Sequence, residues 1–194
     1  MFIRRALTAI GLTAALLAAP SAFAGRSSEN GSLPIPPGLT CEREIPVREL
    51  LTEAQKLLPK GAYLGPLLDG RYAVIDHRWL EKEFLPYYRR SAESLKHIAS
   101  REHEASDCDN YGMFLRHLVS LAGIVGRTAE PAAAQVIVFQ DRAFSGVGPT
   151  HERHSVGLFL TERGWFVLEP QNAVRLTPLE RYANRDNIQF ISFH

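Results

Sequence analysis

Residues 154–172 read HSVGLFLTERGWFVLEPQN, and no other stretch limits the fold as much. Two runs of alternating apolar residues meet at Glu162-Arg163, and period-two alternation belongs to strands, so the chain needs a sheet. If Glu162 and Arg163 form a two-residue turn, Thr161 pairs with Gly164, Val156 lies opposite Glu169 and His154 opposite Gln171. Val156, Leu158, Leu160, Trp165 and Val167 then share one inward face, with His154 and Glu169 on it as diagonal neighbours. A loop one residue longer brings Asn172 opposite His154 instead. In either register the histidine gains a polar partner able to orient its ring.

Upstream the period is helical. Val47, Leu50, Leu51, Ala54, Leu57 and Leu58 recur on one helix face, which Pro59-Lys60-Gly61 ends. A short strand is expected at 72–75, then helices over 78–84 and 87–104. The charged stretch 89–104, with His97 and His103, reads as a solvated face, and Trp79, Phe84, Tyr87 and Tyr88 read as packing residues. Met113, Phe114, Leu118 and Leu121, widened by Val119 and Ala122, predict a helix over 109–123 that Gly123 ends. Strand patterns follow in AAQVIVFQ and NIQFISFH. Helices first and strands later predict an α+β domain, with N-terminal helices packed on an antiparallel β-sheet.

The N-terminus bears on compartment. Arg4 and Arg5, an apolar run over 6–19 and Ala22-Phe23-Ala24 make a secretory signal peptide over 1–24, so the mature protein is expected in the periplasm or secreted. Residues 25–44, rich in Gly, Ser and Pro, read as an extended linker to a domain over 45–194. The formal net charge is +1, and losing Arg4 and Arg5 with the leader leaves −1. That balance gives no ground for a nucleic-acid or acidic-lipid partner, and no second apolar run is long enough to span a bilayer once the leader is gone.

In an oxidising compartment Cys41 and Cys108 are candidates for a disulfide. Cys108 has a second reading. Ser106 or Asp107 is a good N-cap, which places Cys108 in the first helical turn, where the helix dipole and free N–H groups favour a thiolate. Asp107 and Asp109 oppose that charge unless turned away or paired, and a cationic partner, usually an imidazolium, would help. The sequence carries no cofactor or metal pattern. THERH lacks the spacing of a zinc helix, with His151 and His154 on opposite faces of a strand, and two aspartates are too few for calcium. FSGVGPTHE has no strand-to-helix phosphate loop and reads as a loop beside the site.

DCDNYGMFLRHLVSLAGI, HSVGLFL and GWFVLEPQN together resemble the transglutaminase-like branch of the papain-like cysteine peptidases. The cysteine segment, Asp107-Cys108-Asp109 with Tyr111, is most similar to the bacterial periplasmic type. The ending here is Glu169-Pro170-Gln171-Asn172, where an Asp is commoner in these peptidases. The resemblance spans about residues 70–194 and implies that Cys108 is the nucleophile, His154 the base and Glu169 its orienter, with no cofactor. Gln171 and Asn172 compete as third member. The Cys108 N–H is a candidate oxyanion donor, and Gln140 a candidate second one. The implied activity is an exported thiol hydrolase or acyl transferase acting on an amide bond in a protein or cell-wall peptide. The alternative is a binding module of the same fold, with Cys108 idle or bonded to Cys41.

Overall fold

The computed structural model describes residues 35–98 and 108–194, without the side chains of 95–98. The expected leader, the first part of the linker, the cap candidates Ser106 and Asp107, His103 and the side chain of His97 lie outside the described residues.

In chain order the elements are β1 (Cys41–Pro46), α1 (Val47–Gln55), β2 (Tyr63–Leu64), β3 (Arg71–Ile75) and α2 (His77–Trp79). A π-helical segment, Leu80–Phe84, leads into α3 (Leu85–Ile98) and α4 (Cys108–Gly126). Then come β4 (Glu130–Pro131), β5 (Ala133–Phe139), β6 (Arg153–Thr161), β7 (Gly164–Leu168), β8 (Thr177–Pro178) and β9 (Ile188–Ser192). Helices and sheet together make the fold α+β, as the change of period predicts. Among the described residues no helix is long and apolar enough to cross a membrane.

The β6–β7 hairpin has the expected register, Thr161 opposite Gly164 and Leu158 opposite Val167, with Glu162-Arg163 as the turn. Three expectations need correction. First, the sheet is mixed, not antiparallel: its central order is β1-β3-β6-β5-β9-β2, and β3 runs parallel to β6 and β4, as β2 does to β9. Strands from both halves of the chain build it, so not every neighbour is a hairpin partner. Second, the linker does not reach residue 44. β1 begins at Cys41 and pairs with β3, and Leu39 ahead of it is buried. Third, the face of α1 is narrower than its pattern, since Leu50 and Ala54 are buried but Leu51 is exposed.

The sheet separates two cores. Val136, Val138, Val156, Leu158, Leu160, Trp165 and Val167 pack on one side with Leu50 and Ala54 of α1. Ala133, Phe159 and Leu168 pack on the other with the π-helical segment, α3 and α4, through Phe84, Tyr88, Leu115, Leu118, Val119 and Ala122. The buried Trp79, Phe84, Tyr87 and Tyr88 are packing residues, as their spacing implies. Each fully buried Val, Leu or Phe contributes about 1.5–3 kcal/mol. Helix α4 therefore lies on the face opposite to the apolar hairpin face read from the sequence. It sits close to β6: a Cβ on Gly112 would lie 2.2 Å from Ser155 Oγ, and one on Gly157 would lie 2.5 Å from Leu115 Cδ2. Glycine at these two positions lets helix and strand approach.

Candidate active site

Cys108 is the first residue of α4 and is partly exposed. Strand β5 fixes this end of the helix. Gln135 Nε2 donates to the Asp109 carbonyl at 3.1 Å and to Ser155 Oγ at 3.0 Å. Ser155 is fully buried beside His154. One polar side chain thus ties the turn that carries Cys108 to the strand that carries the histidine. The start of a helix has positive character, which suits an anionic sulfur or a developing oxyanion.

His154 and Glu169 are both buried, with 4% and 0% of their surfaces exposed. His154 Nε2 lies 2.7 Å from Glu169 Oε2. The other carboxylate oxygen accepts the Gln171 N–H at 3.1 Å. Strand β7 stops at Leu168, opposite Gly157, so β6 from Val156 back to Arg153 has no β7 partner. Past this open edge the Cys108 side chain lies near enough to the His154 ring to raise its proton affinity. With Nε2 engaged by Glu169, Nδ1 is the nitrogen left for sulfur. Burial alone would lower the proton affinity of the ring, but the neighbouring Cys108 and Glu169, with their charges, outweigh it and push His154 up to about 9. The geometry matches an imidazolium held between a thiol and a carboxylate.

The other sequence candidates take different places. The backbone of Gln171 supports Glu169. Asn172 is exposed and donates to the Ser145 carbonyl at 3.2 Å, so it serves a neighbouring loop and not the ring. Gln140 is fully buried, and its Nε2 donates to the Gly148 carbonyl at 2.6 Å; it secures the loop before β6, where the sequence had offered it as an oxyanion donor. His151 precedes β6, with φ at 55°, and its exposed ring lies 4.0 Å from Asp141. Among the described residues no group of His, Cys, Asp and Glu side chains is arranged to hold a metal.

Cys41 and Cys108 are both free. The Leu39 N–H donates to the Ala122 carbonyl at 2.8 Å, near the far end of α4. At ~1.5 Å per residue, that point is ~20 Å from Cys108. Cys41 is two residues from Leu39, at most ~7 Å away. The gap exceeds the ~7 Å between Cα atoms that a disulfide tolerates.

Three supporting residues escape a reading of the sequence. Gln135 and Ser155 are two, and their only signal is a polar residue inside a strand pattern. Tyr88 is the third: its hydroxyl donates to the Pro170 carbonyl at 2.8 Å, fastening the turn after Glu169 to α3. Burial pushes the Tyr88 phenol up, which keeps it a donor.

No family model matches the chain, and no curated protein matches it. Among solved structures, one described as "PSL1a-E64 complex" superposes with a TM-score of 0.53 at 16% identity, covering 77% of this chain and 50% of that one. Another, of Polyporus squamosus lectin bound to a human-type influenza-binding epitope, gives 0.44 at 14% identity over 73% and 47%. The chain therefore spans about half the length of each matched chain. At such identity the first likeness is one of fold alone.

Proposed function

We propose that the protein is an exported thiol hydrolase or acyl transferase of the transglutaminase-like, papain-like kind, acting on an amide bond in a protein or wall peptide. The observation that carries this reading is the chain of contacts from Cys108, at a helix start, through buried His154 to fully buried Glu169 at 2.7 Å. A buried carboxylate at the end of an apolar strand costs stability unless it is paired, and its partner here reaches a thiol.

The chemistry follows from these positions. The Cys108 thiolate attacks the acyl carbon, and N–H groups of the first turn of α4 receive the negative charge that builds on oxygen. The C–N bond breaks, and the amine leaves with the proton from His154. The acyl group remains on sulfur as a thioester. His154, now neutral, takes a proton from water, which cleaves the thioester to a carboxylic acid and restores the thiol. An amine in place of water makes the same step a transfer. Glu169 holds the ring in one orientation and stabilises its charged form.

Iodoacetamide labelling at pH 7, with adducts mapped by mass spectrometry, tests the reading. Cys108 is expected to react at least about tenfold faster than glutathione, and His154→Ala to remove that advantage. The compound bound in the PSL1a complex is a second probe. An unreactive Cys108, in a protein that hydrolyses no peptide of a mixed library, would leave the binding-module reading in place.

A further inference from the structure

A second feature lies ahead of the Cys108 helix, at the end of β5 where Phe139 pairs with Arg153. Residues 135, 137 and 139 of β5 alternate onto one face, and Ile137 and Phe139 pair with Ser155 and Arg153 of β6. The helix start sits over Gln135, whose amide touches the Asp109 carbonyl. Phe139, four residues further along, is exposed and forms one wall of an open cleft of about 450 Å³. Lys60, Arg153, Asp186, Asn187 and Gln189 also line it.

Among the side chains that line this cleft the charges are unbalanced; Asp141 lies outside the lining, its Oδ2 accepting from Asn187 Nδ2. Two cations face one carboxylate, and among the described residues neither Lys60 nor Arg153 has an ion-pair partner. Arg153 is nevertheless held: its Nε donates to Gln189 Oε1 at 3.1 Å. That bond leaves the terminal nitrogens of the guanidinium for a ligand. Gln189 reaches it because β9 bulges there, with Val138 paired to Ile188 and Ile137 to Phe190, so that Gln189 drops out of the ladder. A guanidinium fork beside an ammonium suits a carboxylate.

We infer that this cleft is a substrate subsite that takes a carboxylate carried within about four residues of the amide bond attacked. The spacing is bounded by the strands: Phe139 lies four residues, ~13 Å, along β5 from the Gln135 under the helix start, while His154 beside the thiol already lies opposite Val138, so an extended peptide reaches the cleft within about four residues. The inference rests on Cys108 being the nucleophile, and it adds a substrate class, peptides with an acidic residue at that distance. Arg153 precedes His154 on β6, so one strand holds both the base and the group that positions the substrate.

The test needs no natural substrate. Amidated chloroacetyl peptides are made with Glu placed one to five glycines from the electrophile, and a Gln twin is made for each. Rates of Cys108 alkylation are divided by each protein's own iodoacetamide rate, which reports the thiol by itself. Glu is expected to outpace Gln by about tenfold at one or more of the spacings up to four glycines, with the advantage shrinking in high salt. The Lys60→Gln/Arg153→Gln double variant is expected to lose it. Equal Glu and Gln rates in the wild type overturn the subsite, as does a preference that survives in the double variant. A slow iodoacetamide reaction counts against the hydrolase reading instead, and the Glu-to-Gln ratio still decides the subsite.

Discussion

Glu169 uses one carboxylate oxygen for the His154 ring and the other for the Gln171 N–H, with none of its surface exposed. Its amide analogue keeps the shape and one acceptor, but it no longer stabilises an imidazolium. Glu169→Gln is therefore expected to fold, as circular dichroism would register, and to lower turnover of a cleaved peptide by about two to four powers of ten. Asn172→Ala, at an exposed loop contact, is expected to cost less than about tenfold. A reversed ranking would assign the orienting role to Asn172. That the ring meets Glu169 and not Asn172 was legible because a two-residue turn sets the parity of everything beyond it, and Thr161 does lie opposite Gly164. The work of Tyr88 was not legible, since a tyrosine at helical spacing looks the same whether or not its hydroxyl holds a distant turn.

Among the elements, the placing of α4 on β5 and β6 sets the distance from sulfur to ring. Gln135 bonds both the Asp109 carbonyl and Ser155, and Gly112 leaves the room this requires. Gly112→Ala puts a methyl 2.2 Å from Ser155 Oγ, so helix or strand has to shift. Overpacking of this kind costs about 1–3 kcal/mol, measurable by denaturant titration. Cys108 alkylation is expected to slow beyond what the loss of folded protein explains, because the shift falls one turn from the thiol. Unchanged stability and labelling would mean that the clasp does not position Cys108. The long strands and α4 were readable from periodicity. β1 was not: CEREIP has three exposed charged residues and only Ile45 buried, which is what an edge strand needs and what a linker also looks like. The two-residue strands β2, β4 and β8 are too short to carry any period. The parallel pairing of β3 with β6 joins distant parts of the chain, and local pattern cannot specify it.

Across the whole molecule, the sheet divides two cores, and the site lies where that division fails. β7 ends at Leu168, and Glu169 lies just beyond it, close enough for its charge to act on Tyr88 of one core and Tyr182 of the other. Burying a carboxylate there is tolerable only while His154 carries a proton. The ring's affinity in the fold is raised from an ordinary 6.5 to about 9. The bonded imidazolium therefore stabilises the fold in full below 6.5, and its contribution is lost as pH rises through about 9. Everything in the proposed chemistry depends on that proton, which makes its titration the most direct test. Nuclear magnetic resonance of the ¹⁵N-labelled His154 ring is to be followed from pH 5 to 10.5 in the wild type, in Cys108→Ala and in Glu169→Gln. The expected wild-type midpoint is about 9, displaced downward in both variants, because sulfur and carboxylate each hold the charged form. A wild-type midpoint at or below 6.5, indifferent to both substitutions, would contradict the coupling of Cys108, His154 and Glu169 into one unit.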